Sequence, residues 1–197
     1  MSFKIFRNIA LGASALFAAA CSDQAIPSGP DAAAAGTQVA PRFLRNGGLV
    51  NVVNWSSDHE KGKYTTSGVI GQDGGSLTIP DADFTITFPA GALSENTTIT
   101  IVAKNGPFVS YDMQPHGLQF TKAVTVTQGL ATVEVPLSVP MFGAYLENDS
   151  DPLENGTVLP TEILQSTTLF GRIRGELVPV TQIWLLNHFS RYILASG

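Results

Sequence analysis

The sequence predicts an all-β protein, an antiparallel β-sandwich, and three observations carry that expectation. Short runs alternate with period two: Phe84, Ile86 and Phe88 with Thr85 and Thr87; Ile99 and Ile101 with Thr98 and Thr100; Val124 and Val126 with Thr125 and Thr127; Val133, Val135 and Leu137 with Glu134 and Pro136. Turn-forming residues fall between the runs, at Asp73-Gly74-Gly75, Pro89-Ala90-Gly91, Asn105-Gly106-Pro107 and Gln128-Gly129. No stretch of helical period and length separates them, which leaves no room for βαβ units. β-Branched residues alternating with polar ones mark strands with one buried and one wet face, and strands at this spacing pair into a sandwich or barrel.

Composition agrees. Of 197 residues 44% are hydrophobic and 14% charged, enough for one buried core, and Gly 19 and Pro 12 favour turns over helices. The net charge is −5. Such an acidic chain, with no basic stripe, is repelled by phosphate backbones, so nucleic acid is not an expected partner. A single cysteine excludes an internal disulfide and a thiolate zinc site.

Three segments follow in order. Residues 1–20 read as a signal peptide: Lys4 and Arg7 supply the positive start, and Ile9 to Ala20 run uncharged. About a dozen apolar residues are too few to span ~30 Å of hydrocarbon but suit a leader's apolar region. The leader ends Leu16-Phe17-Ala18-Ala19-Ala20-Cys21, with small residues before the cleavage point. Residues 21–42 form a tether rich in Pro, Ala and Gly, with a random-coil reach on the order of 25 Å. Residues 43–197 are the folded domain. Within it Pro89 stops a strand by fixing φ and withdrawing a donor, Gly91 can take a positive φ, and Ala92 and Leu93 turn back under the sheet.

Two resemblances add to this reading. Small residues followed directly by Cys21 resemble the lipobox of bacterial lipoproteins, although Ala18 stands where Leu is commonest. The resemblance implies that the Cys21 thiol is acylated and becomes the new N-terminus. Several acyl chains, each methylene worth roughly 0.8 kcal/mol, then hold the protein to the envelope membrane without a transmembrane helix. Ser22, rather than Asp, favours the outer membrane by the same resemblance.

The second resemblance is to the ZU5 domain. It rests on Gly74-Gly75-Ser76-Leu77-Thr78-Ile79, the Phe84–Phe88 strand running into Pro89-Ala90-Gly91-Ala92-Leu93, and the Thr97–Ile101 strand. Gly117 to Val126 and Asn187 to Tyr192 resemble later blocks of that family. The likeness covers residues 67–195, with Met141 to Thr168 fitting least well and expected to be an insertion. It implies a β-sandwich and, by analogy with animal relatives, a non-catalytic protein-interaction or structural role, with another envelope protein as partner.

Some ZU5-like domains cleave themselves within a His-Phe-Ser triplet. By that resemblance Ser190 attacks the carbonyl of Phe189 and His188 assists as base. Such chemistry needs a nucleophile beside a strained carbonyl and a base within reach. The competing reading is a closing strand with Phe189 inward, Ser190 outward and His188 simply satisfied.

Other candidates are weaker. The acidic run Glu147 to Glu154 offers oxygen ligands, but its spacing fails the calcium-loop pattern and reads as a solvated loop. His59 and His116 are isolated from each other and from His188, so metal ligation has no support. Neither a Gly-x-Ser-x-Gly elbow nor a phosphate loop is present, and no cofactor is expected. Phe43, Trp55 and Tyr64 are the one pointer to a glycan- or wall-binding patch; the alternative is an added strand packed on the sandwich.

Overall fold

The computed structural model describes residues 48–56, 63–136, 139–147 and 156–197. The expected leader, Cys21, the tether, Phe43 and His59 lie outside them. Among the described residues thirteen strands follow one another: β1 (Val50–Val52), β2 (Tyr64–Ile70), β3 (Gly75–Ile79), β4 (Phe84–Phe88), β5 (Thr97–Ala103), β6 (Ser110–Gln114) and β7 (Gln119–Gly129), then β8 (Met141–Leu146), β9 (Thr157–Val158), β10 (Glu162–Ile163), β11 (Ser166–Ile173), β12 (Glu176–His188) and β13 (Arg191–Ser196). The one helical element among the described residues is a 3-10 turn at Pro80–Ala82.

The strands form two antiparallel sheets, so the chain is the all-β sandwich that its periodicity predicts. The larger sheet runs β10-β8-β13-β6-β5-β2, with β1 pairing β13 and β9; the smaller runs β11-β12-β7-β4-β3. The predicted alternation holds. Phe84, Ile86 and Phe88 are buried, as are Ile99, Ile101, Val124 and Val126. On the smaller sheet one inward row is Leu77, Ile86, Val126, Trp184 and Ser166, each opposite the next. The opposite face carries hydroxyls, and Thr78 meets Thr85 at 3.1 Å while Ser76 meets Thr87 at 3.2 Å.

The corner after β4 forms as expected. Gly91 adopts φ +78°, its N–H donates to the carbonyl of Gln72 at 2.7 Å, and Ala92 and Leu93 are buried.

Two expectations are corrected, and a third segment is more closely built in than expected. Within Met141 to Thr168, the stretch expected to be an insertion, β8 lies inside the larger sheet, paired with β13 along all six residues from Met141 to Leu146, and with β10 on its other side. Gln128-Gly129 is the end of β7 rather than a turn. The Gln128 side chain is fully buried, accepting from the Tyr111 hydroxyl and donating to the carbonyls of Ala82 and Gly129, so a turn-like dipeptide becomes a polar pin in the core. Val133 to Pro136 do not form a strand, and Leu137 lies outside the described residues. Val133 makes a single bridge to Trp55, the Glu134 N–H donates to Asn54, and Pro136 removes the next donor of a ladder.

The sheets meet tightly where β8 crosses Trp184. A Cβ placed on Gly143 would lie 2.6 Å from the Trp184 Cγ, and Trp184 is fully buried. Gly143→Ala is therefore expected to destabilise the domain by about 1–3 kcal/mol through overpacking, read as a lowered denaturant midpoint at unchanged slope.

Candidate functional site

His188-Phe189-Ser190 occupies the point where the chain leaves one sheet for the other. His188 ends β12 in the smaller sheet and Arg191 begins β13 in the larger, so the triplet is a corner between strands rather than part of a single closing strand. The end of β6 and the turn that follows it, Met113 to Leu118, grip this corner through their backbone. Gly117 N–H donates to the Phe189 carbonyl at 2.9 Å, Phe189 N–H donates to Leu118 at 2.8 Å, and Met113 N–H donates to Ser190 at 3.1 Å. Phe189 is fully buried, edge-on to Phe120 at 4.9 Å and to Phe88 at 6.0 Å.

His188 is held by three other side chains. The Tyr192 hydroxyl donates to the His188 carbonyl at 2.6 Å and lies 3.1 Å from Nδ1. A phenol has one proton, so the geometry fits Nδ1–H donating to the Tyr192 oxygen. Nε2 sits 3.8 Å from the half-exposed Glu162 carboxylate, and the ring stands edge-on to Tyr145 at 4.8 Å. Both ring nitrogens thus face partners other than Ser190, and among the described residues none accepts a hydrogen bond from Ser190 Oγ. What the corner does offer an acyl shift is one polarising donor, Gly117 N–H.

The remaining candidates disperse. His116 Nε2 meets Asp112 at 2.6 Å. Of the acidic run only Glu147 is described, its N–H donating to the Thr161 hydroxyl at 3.3 Å. No group of three His, Cys, Asp or Glu among the described residues could hold a metal ion. Trp55 is buried edge-on to Tyr111 at 6.2 Å, and Tyr64 opens β2 and packs against the core. Neither belongs to an exposed aromatic patch; both join strand or bridge pairings, as the competing reading has it.

A feature that the sequence analysis passed over is more exposed. β11 and β12 pair from Ser166–Trp184 out to Ile173–Glu176, but β7 accompanies β12 only as far as Thr181. The last bond is Leu130 N–H to the Val180 carbonyl at 3.0 Å. Four residues of β12, Glu176 to Pro179, run on with β11 alone, a two-stranded arm projecting about 13 Å at ~3.3 Å per residue. Its turn is Arg174-Gly175, both at positive φ (52° and 87°), the two-residue turn whose twist matches the strands. An arginine in the left-handed region costs about 1–2 kcal/mol relative to glycine.

Cross-strand partners place Phe170 with Pro179 and Arg172 with Leu177 on one face, and Gly171 with Val178 and Ile173 with Glu176 on the other. Phe170, Ile173 and Leu177 are 44%, 56% and 59% exposed. The legible signal was Arg-Gly between two β-rich apolar runs.

Comparison with protein-family models and with curated proteins finds no match.

Burial raises the Tyr192 hydroxyl well above its ordinary range, with the Glu162 carboxylate adding to it, and burial does the same at Tyr111, with Asp83 adding. A raised folded-state value means that the unfolded chain releases these protons first. The stability they contribute is complete below pH ~10 and is lost as pH climbs above it, by up to about 1.4 kcal/mol per pH unit for each tyrosine. Denaturant titrations from pH 8 to 11.5 are expected to show that alkaline fall, and Tyr192→Phe to flatten it.

Proposed function

We propose that the protein is a lipid-tethered module of the bacterial envelope, acylated on Cys21, whose ZU5-like sandwich makes non-catalytic contacts through the β11–β12 arm. The observation that carries the contact role is the arm itself. Isolated two-stranded hairpins are marginal in water, and this one presents large apolar side chains that its own domain leaves uncovered. Support for the tether comes from the sequence alone, from the leader that ends at the chain's single cysteine.

Self-cleavage before Ser190 is the second reading, favoured by the Gly117 N–H on the Phe189 carbonyl. The hydrogen bonding of His188 weighs against it, because a base turned toward Tyr192 and Glu162 is not positioned to take the Ser190 proton.

Two readouts test the proposal on the same sample. Metabolic labelling with a palmitate analogue is expected to mark the wild-type chain and not Cys21→Ser. Intact mass is expected to include residues 190–197; loss of that octapeptide, abolished by Ser190→Ala, would transfer the assignment to the self-cleaving reading.

A further inference from the structure

Resting on the tethered reading, we propose that the tip of the β11–β12 arm enters the headgroup region of an anionic bilayer, with Phe170, Ile173 and Leu177 reaching the acyl boundary and Arg172 and Arg174 meeting lipid phosphates. Three observations point to a membrane rather than to a protein surface. The first is two-sidedness. Docking onto a protein needs one apolar face, whereas this arm carries Phe170 and Leu177 on one face and Ile173 and Val178 on the other. A medium that surrounds the tip satisfies both at once.

The second is charge. The chain is acidic overall, at −5, yet the tip carries Arg172 and Arg174 against Glu176 alone. Two cations beside exposed apolar side chains complement an anionic interface, where each basic residue strengthens binding. Long arginine stems can lie along the apolar surface while the guanidinium stays at phosphate level. The third is the turn. Asn-Gly or Gly-Gly would form it with less strain, but Arg174 is held at φ +52°. A strained cation at the outermost point of an arm is a feature that folding alone does not require.

Depth is limited by the backbone. The arm's outer edges carry unpaired N–H and C=O groups, which hydrocarbon cannot satisfy, so the strands stay in the hydrated headgroup layer and only side chains go deeper.

The test uses the full acylated chain carrying Phe170→Trp, reconstituted in vesicles of phosphatidylglycerol and phosphatidylcholine with brominated acyl chains. Native Trp55 and Trp184 are buried and set the background. The proposal expects the indole at position 170 to be quenched well beyond that background. Adding Arg172→Glu and Arg174→Glu is expected to lower the tip's bound-to-free ratio by about thirtyfold, roughly fivefold per arginine removed. An unchanged denaturant midpoint shows that the variants fold. An unquenched indole on vesicle-bound chain overturns the proposal and spares the tether, as does crosslinking from position 170 to an envelope protein. A chain that does not float with the vesicles at all overturns the tethered reading and this proposal with it.

Discussion

Among the crossings on which the fold depends is the peptide from Phe189 to Ser190, where the chain leaves the smaller sheet and enters the larger. Two sheets sharing a core are held in register only if the segments that switch between them are rigid, because inward rows from both sides must interdigitate. Here rigidity comes from three backbone hydrogen bonds to the end of β6 and the turn after it, Met113 to Leu118, and from the packing of buried Phe189 against Phe88 and Phe120. Removing a fully buried phenylalanine from such a site costs about 3–5 kcal/mol, a large share of a typical domain's stability. His188 and Tyr192 close the same corner from the other side, the phenol tying the carbonyl before the crossing to the strand after it. The triplet that resembles a cleavage site therefore also serves the architecture: its three carbonyl and amide bonds to Met113, Gly117 and Leu118 and the contacts of His188 with Tyr192 and Glu162 tie neighbouring elements together.

Once the corner is fixed, the arm follows from how far β7 reaches along β12. A register shift between Leu186 and His188 sets the eleven residues of β7 against only Thr181 to His188, so the rest of the thirteen-residue β12 emerges beyond Thr181. β11 pairs with that surplus out to Glu176 and is the terminal strand of its sheet. An edge strand with exposed apolar residues invites aggregation unless something covers or charges it. Arg172 and Arg174 at the tip supply the charge.

Much of the fold was legible in the residues. Phe84, Ile86 and Phe88, and likewise Ile99 and Ile101, declare their strands because a half-buried sheet demands alternation. The Pro89 to Leu93 corner was legible because proline and glycine act through the backbone itself. Elsewhere tertiary context decided. Gln128-Gly129 looks like a turn, yet a buried Tyr111 hydroxyl and two carbonyls give the Gln128 amide partners that no local rule foresees. β8, Met-Phe-Gly-Ala-Tyr-Leu, lacks clear alternation because it is packed on both faces: Gly143 lies under Trp184, while Ala144 and Leu146 join a second buried cluster with Ile193 and Ala195. The candidate triplet was legible as a motif, but whether His188 faces Ser190 or Tyr192 depends on a strand four residues on and on Glu162 from β10, neither of which spacing reveals.

Hydrogen exchange, resolved to single amides on the full chain, tests the corner and the arm together. Amides of Phe189, Gly117 and Met113 are expected to exchange only through global unfolding, while those facing outward in Phe170 to Pro179 exchange orders of magnitude faster through local opening. Fast exchange at the corner, or arm amides as protected as the centre of β7, would contradict this account of how the sandwich is closed and what it leaves exposed.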